Sequence, residues 1–197
     1  MREIPCPGCG RGYPDDGRFA LGRTLTCACG ARVERRAESA WREEDPPRFF
    51  ADSMLGGLAR WLRTLGYDAA CEGEIADAEL VRRGAEERRL VLTRDRGLAG
   101  AWWSEGVLLV RSEDPLEQLR EVAAEAGLDA DALFTRCTRC NLPLAEPSAE
   151  QVAARVPEAV RAAGAELRGC AGCGRVYWEG SHTARMRRMV GRALGGG

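Results

Sequence analysis

Eight of the nine cysteines fall into closely spaced pairs: Cys6-x-x-Cys9, Cys27-x-Cys29, Cys137-x-x-Cys140 and Cys170-x-x-Cys173. This pattern is the strongest constraint on the fold. A tetrahedral zinc requires four thiolates at Zn–S distances of about 2.3 Å, and two tight cysteine turns supply them. The sequence therefore predicts two structural zinc sites, Cys137/Cys140/Cys170/Cys173 and Cys6/Cys9/Cys27/Cys29. Gly174 leaves backbone room beside the Cys173 sulfur, and Gly8, Gly10 and Gly30 suit the N-terminal turns. A redox pair or a catalytic zinc is the competing reading of the C-terminal set, although four thiolates leave no open position on the metal. Disulfides compete for the N-terminal set. The remaining Cys71 reads as a small packed apolar residue. As a nucleophile it would need a base, and no histidine is near it in sequence.

Composition places the metal sites in a reducing compartment. No run of 18 apolar residues exists, and the N-terminal MREIPCPGCG has no basic-then-apolar signal pattern. The expectation is a cytoplasmic protein without a membrane span, in which cysteines serve metals before disulfides. A hydrophobic fraction of 45% supports a true core. The net charge of −1 argues against a globally electrostatic nucleic-acid binder and leaves room for a local basic patch. No lysine is present, so all 29 basic residues are arginine. Schiff-base, Walker-A and lysine-base chemistry are excluded. The single histidine, His182, excludes a multi-histidine metal site.

Residues 1–36 are rich in Gly and Cys, and residues 37–47, with the Pro46-Pro47 pair, read as a linker. From residue 48 to 131 short apolar runs alternate with amphipathic stretches. Strands are predicted at 48–51, 68–71, 90–93 and 107–110, and helices at 54–65, 78–89, 98–104 and 116–126. Leu55, Leu58, Leu62 and Leu65 define the apolar side of the first helix, and Gly66 follows as its cap. This alternation predicts an α/β fold with a parallel sheet covered on both faces. Residues 132–190 carry the second cysteine set, a short helix near 156–163 and a tail with five arginines against Glu179.

In an open parallel sheet, ligands bind beyond the carboxyl ends of the strands. Asp52, Asp77, Asp95 and Asp114 each follow a predicted strand. Clustered carboxylates repel one another unless a hard cation such as Mg²⁺ or Mn²⁺ lies among them. Each acid also has a capping alternative. Asp114 precedes Pro115 and stands three residues before Glu117, so a structural cap is the favoured role. Asp77 suits a cap as well as a metal ligand, with Glu79 as an alternative ligand one turn on. For Asp52 the cap is the lesser reading, and for Asp95 it is weaker still. Arg60 and Arg63 share a helix face, and Arg94 and Arg96 flank Asp95. These arginines are either phosphate contacts or an ordinary solvated surface. Trp102-Trp103 is either a base-stacking pair or partly core.

The stretches FFADSMLGGLARWLRTLGYDA, DAELVRRGAEERRLVLTRDRGL, FTRCTRCNLPL and CAGCGRVYWEGSH occur in an order that resembles the ribonuclease domain found at the C-terminus of the Mut-seven exonucleases, which also exists as free-standing prokaryotic proteins. The resemblance implies a PIN-like three-layer α/β/α sandwich followed by a zinc ribbon. It also implies a divalent-metal nuclease site at Asp52, Asp77 and Asp95, with RNA as substrate. The first hypothesis is accordingly a metal-dependent ribonuclease with arginines Arg60, Arg63, Arg94 and Arg96 on the RNA backbone. The second is a non-catalytic RNA-binding or adaptor module built on zinc ribbons. A ubiquitin-like domain often precedes this domain in free-standing relatives. Here a cysteine ribbon takes that position, so the resemblance identifies no protein partner.

Overall fold

The computed structural model describes residues 3–6, 8–14, 24–34, 46–101 and 106–195. Residues 37–45 of the predicted 37–47 linker and the Trp102-Trp103 pair lie outside them. The chain divides into two compact units. One contains residues 1–56 and 71–111, and the other residues 57–70 and 112–197.

The first unit begins with two antiparallel hairpins, β1 (Glu3–Pro5) with β2 (Gly12–Pro14) and β3 (Thr24–Thr26) with β4 (Arg32–Glu34). Each hairpin turns through one cysteine pair. The Cys6 amide donates to the Arg11 carbonyl, and the Gly10 amide returns to the Cys6 carbonyl, both at 2.9 Å. The Cys27 turn closes one residue earlier, with Cys27 N–H to Ala31 and Gly30 N–H to Cys27. This shorter ring is the structural counterpart of CxC against CxxC spacing. Gly10 and Gly30 lie at φ 73° and 85°, where a Cβ is unfavourable. Cys6, Cys27 and Val33 form a small core against which Tyr13 and Ala31 pack.

The chain then enters the main sheet through β5 (Phe49–Ala51). A 3-10 turn at Ser53–Leu55 and helix α1 (Gly56–Thr64) lead to β6 (Ala69–Cys71). Helix α2 (Asp77–Glu86), β7 (Leu90–Thr93), α3 (Arg96–Ala101) and β8 (Val107–Leu109) follow. The strand order is β6-β5-β7-β8. β5 pairs parallel with β7 and β7 parallel with β8, aligning Ala51, Leu92 and Leu108 across the sheet. Phe49, Phe50, Ala51, Val91, Leu92 and Thr93 are fully buried. Continuous burial of this kind, rather than alternation, is what a parallel sheet covered by helices produces. Helix α2 packs on β5 and β7, and α3 on β7 and β8. The predicted α/β class, with a parallel sheet flanked by helices, is present.

In the second unit α1 ends in a Schellman motif. The Tyr67 amide reaches the Leu62 carbonyl at 3.0 Å and the Gly66 amide reaches Arg63 at 3.1 Å, with Gly66 at φ 98°. A Cβ on Gly66 would lie 2.3 Å from the Ala132 carbonyl oxygen, so glycine is required twice over. Helix α4 (Pro115–Ala126) is capped by Asp114. Helices α5 (Ala149–Arg155) and α6 (Glu158–Ala162) precede an antiparallel pair, β9 (Leu167–Gly169) with β10 (Val176–Trp178). Helix α7 (Ser181–Ala193) follows and packs on α4. Two of these helices add to the sequence reading. The spacer between the cysteine pairs contains α5, opened by a Ser148–Gln151 capping box, and the basic tail is the ordered helix α7. No helix among the described residues is long and apolar enough to cross a membrane.

Candidate active site and metal centres

The two predicted cysteine sets are both assembled. Within each, the four Sγ atoms lie within 4.8 Å of one another. The Cys6–Cys29 and Cys9–Cys27 sulfurs are 3.6 Å apart, and Cys137–Cys173 3.7 Å. A tetrahedron with Zn–S of about 2.3 Å has S···S edges of about 3.8 Å, whereas a disulfide bond is about 2.05 Å long. The donor sets therefore fit zinc and are not disulfides. The C-terminal turns repeat the N-terminal design. Cys137 N–H donates to Leu142 O and Asn141 N–H to Cys137 O, while Cys170 N–H donates to Arg175 O and Gly174 N–H to Cys170 O. Asn141 (φ 61°) and Gly174 (φ 69°) take the left-handed position that Gly10 and Gly30 hold in the first set.

A phenol accompanies each set. The Tyr177 hydroxyl lies 3.2 Å from Cys137 Sγ. Burial pushes the Cys137 thiol up, but the Tyr177 hydroxyl and the Cys140 and Arg139 amides outweigh it and bring the thiol down to about 6. In the first set the Cys29 amide and then the Tyr13 hydroxyl bring Cys27 down to about 6. One thiol of each set is thus lowered toward the thiolate, the form that binds metal, while neighbouring cysteines push Cys29 and Cys140 up to about 12.

The sheet order places a topological switch between β5 and β7. The chain leaves β5 to form β6 on one side and returns to form β7 on the other. The crevice beyond the carboxyl ends of two such strands is the ligand site of open α/β sheets. Asp52 directly follows β5 and Asp95 lies just past β7. Thr93, fully buried at the end of β7, joins them. Its Oγ1 donates to Asp52 Oδ2 at 2.8 Å and accepts the Asp95 amide at 3.0 Å. Ser53 Oγ donates to Asp52 Oδ1 at 3.2 Å. Asp52 occupies the N-cap position of the 3-10 turn, but its side chain makes no capping bond.

Asp95 departs from its sequence reading, because it does cap. Its Oδ1 accepts from the Gly97 amide at 2.6 Å and the Leu98 amide at 3.1 Å. Its Oδ2 has no hydrogen-bond partner among the described residues. Asp77 is the exposed first residue of α2, and the N-cap is Ala76. Glu79 is held in a two-pronged pair by Arg82, at 2.6 and 2.8 Å, which lowers its carboxyl from the usual 4.5. Asp114 behaves as a cap, accepting the Leu116 and Glu117 amides at 2.9 and 3.1 Å. Among the described residues no three carboxylates bring their oxygens within 4.8 Å. Like charges without a cation between them stay apart.

The four arginines separate. Arg60 and Arg96 are exposed, and Arg94 is half-buried. Arg63 is only 8% exposed and donates to the carbonyls of Ala69 (2.8 Å), Thr138 (3.0 Å) and Arg139 (3.2 Å). Its guanidinium braces the C-terminal zinc turn and is not displayed to a phosphate. Sequence reasoning assigned no role to two residues here. Thr93 lay inside the quoted LTRD, yet only its place in the strand was read. Asn141 bridges the zinc turn to the start of β6, accepting the Ala69 amide at 3.0 Å and donating to Asp68 at 2.6 Å.

The family model described as Mut7-C RNAse domain matches residues 47–190. No curated protein and no solved structure matches the chain.

Proposed function

Because the chain belongs to the Mut7-C RNAse domain family, we propose that it is a divalent-metal-dependent ribonuclease that hydrolyses RNA phosphodiester bonds at Asp52, Asp95 and Asp77. The observation that carries this reading is the Asp52–Thr93–Asp95 constellation at the sheet's switch point. Thr93 and Ser53 orient Asp52, and the start of α3 orients Asp95 while leaving Oδ2 open. Carboxylate oxygens on rigid strand ends fit Mg²⁺ or Mn²⁺. Such an ion, when bound, makes water nucleophilic near neutral pH and offsets charge on the leaving oxygen. Asp77 stands at the start of α2 as a third oxygen donor. Arg94 and Arg96 beside Asp95 supply guanidinium groups for the phosphates. A cytoplasmic location suits two reduced zinc sites.

Removal of outer-sphere partners of a metal costs about 10–100-fold in activity. Direct carboxylate ligands therefore set a floor, and Asp52→Asn or Asp95→Asn should each lower RNA cleavage with Mn²⁺ by at least about 100-fold while circular dichroism and zinc content stay native. Wild-type rates in both variants would sink the assignment. The separation of the carboxylates favours one competing reading, a non-catalytic RNA-binding module. That reading requires RNA binding indifferent to Mg²⁺ and no cleavage by the wild-type protein.

A further inference from the structure

Apart from the carboxylate site, the described residues contain a solvent-open cleft of about 90 Å³ beside the C-terminal zinc ribbon. Phe134, Tyr177 and Trp178 line it, together with two charged pairs, Arg168–Glu166 (2.9 Å) and Arg187–Glu179. The Tyr177 hydroxyl is engaged by the Cys137 thiol, so the metal turn fixes that ring. Phe134 sits at φ 61°, a conformation uncommon for a residue with a Cβ, and its amide is tied to the Thr64 carbonyl at 2.9 Å. The Arg187 guanidinium lies 5.1 Å from the Phe134 ring centroid. Arg187 belongs to α7, which also exposes Arg185, Arg188 and Arg192 and contains no acidic residue.

We propose that this cleft binds one unstacked base of a single-stranded RNA, with the neighbouring phosphates on the arginines of α7. The inference rests on RNA being the substrate, as proposed above. The chemistry selects this occupant. Two glutamates in the wall oppose a bare phosphate or an acidic peptide. An aliphatic chain would take two ion pairs out of water without replacing their hydrogen bonds. A base offers a flat ring for Phe134 and Trp178, and an edge carrying both donors and acceptors for the Arg–Glu pairs. Single-stranded RNA is recognised in this way, through splayed bases on aromatic rings and guanidinium planes.

The test uses the full-length Asp52→Asn protein in buffer free of Mg²⁺ and Mn²⁺, so that bound RNA is not cut. Fluorescence anisotropy compares a short single-stranded RNA with the same backbone lacking bases. The intact strand should bind at least about tenfold more tightly, and Phe134→Ala or Trp178→Ala should each remove most of that difference. Equal binding of the two strands would overturn the proposal. So would unchanged discrimination in either aromatic variant with both zincs retained. If an aromatic variant loses zinc, Arg187→Ala on the exposed side of α7 decides instead: reduced base discrimination upholds the site, and unchanged discrimination overturns it. Wild-type cleavage with Mn²⁺ is measured in parallel. Base discrimination without cleavage overturns the ribonuclease reading and leaves this site standing. Cleavage without base discrimination overturns this site alone.

Discussion

At the scale of single residues, Thr93 links the end of β7 to the proposed chemistry. Its hydroxyl has one proton and two lone pairs, and both functions are in use: it donates to Asp52 and accepts from the Asp95 amide. Valine has nearly the same shape but neither function. Thr93→Val would therefore release Asp52 Oδ2 and leave the Asp95 amide without its acceptor. Asp95 is exposed, so water replaces part of the lost bond and the stability cost is that of an ordinary hydrogen bond, about 0.5–1.5 kcal/mol. In the ribonuclease reading, the expected result is a 10–100-fold rise in the Mn²⁺ concentration needed for half-maximal cleavage, a cost typical of outer-sphere metal partners (about 10–100-fold). Thr93→Ser should restore most of it. A variant that loses stability while keeping its metal dependence would show that Thr93 only supports the fold. Arg63 shows why residue roles are harder to read than residue types. Its i, i+3 spacing with Arg60 was legible, but burial separates the two, and only the structure shows three carbonyls around Arg63.

At the scale of elements, legibility followed the strength of local signals. The four strands of the sheet and helices α1, α2 and α4 were readable from apolar periodicity, reinforced by Gly66 after α1 and by Asp114 before α4. Asp114 is the clearest case: the Asp-Pro-x-Glu pattern announced the start of α4, and its carboxylate accepts two backbone amides. Asp114→Ala should lower stability by about 1 kcal/mol in chemical denaturation, with RNA cleavage unchanged. An effect on cleavage larger than the effect on stability would return Asp114 to the candidate site. Helices α5 and α7 escaped the sequence reading for a physical reason. Helix α5 has no buried residue, and α7 buries only Val190 and Ala193, although Met186, Met189, Val190 and Ala193 stand at i, i+3, i+4 and i+7. Arginine density in α7 resembled a solvated tail. Asp95 was misjudged in the same way, because one short polar connection both caps α3 and leaves an oxygen free.

At the scale of the whole molecule, two classes of metal donor coexist in one chain. Eight sulfurs form two closed sets suited to zinc, and in the proposed ribonuclease the carboxylates at the sheet's switch point offer oxygen to a harder ion. The cysteine spacings revealed the first class directly, because a turn of fixed length fixes where two sulfurs fall. The second required the strand order, which sequence leaves open. Hard and soft donors should respond to different reagents. Structural zinc contributes about 10–16 kcal/mol to small domains, and oxygen-bound Mg²⁺ exchanges readily. Brief exposure to a weak chelator should stop RNA cleavage, leave two zinc ions per chain by elemental analysis and leave circular dichroism unchanged. Added Mn²⁺ should then restore cleavage. A mercurial thiol reagent should instead release both zincs to an indicator dye and melt the ribbons. If cleavage survives the chelator and disappears only as zinc is released, the thiolate sites hold the reactive metal and the carboxylate assignment fails. If cleavage follows Mn²⁺ while zinc stays bound, the sulfur sets are structural and the chemistry belongs to the end of the sheet.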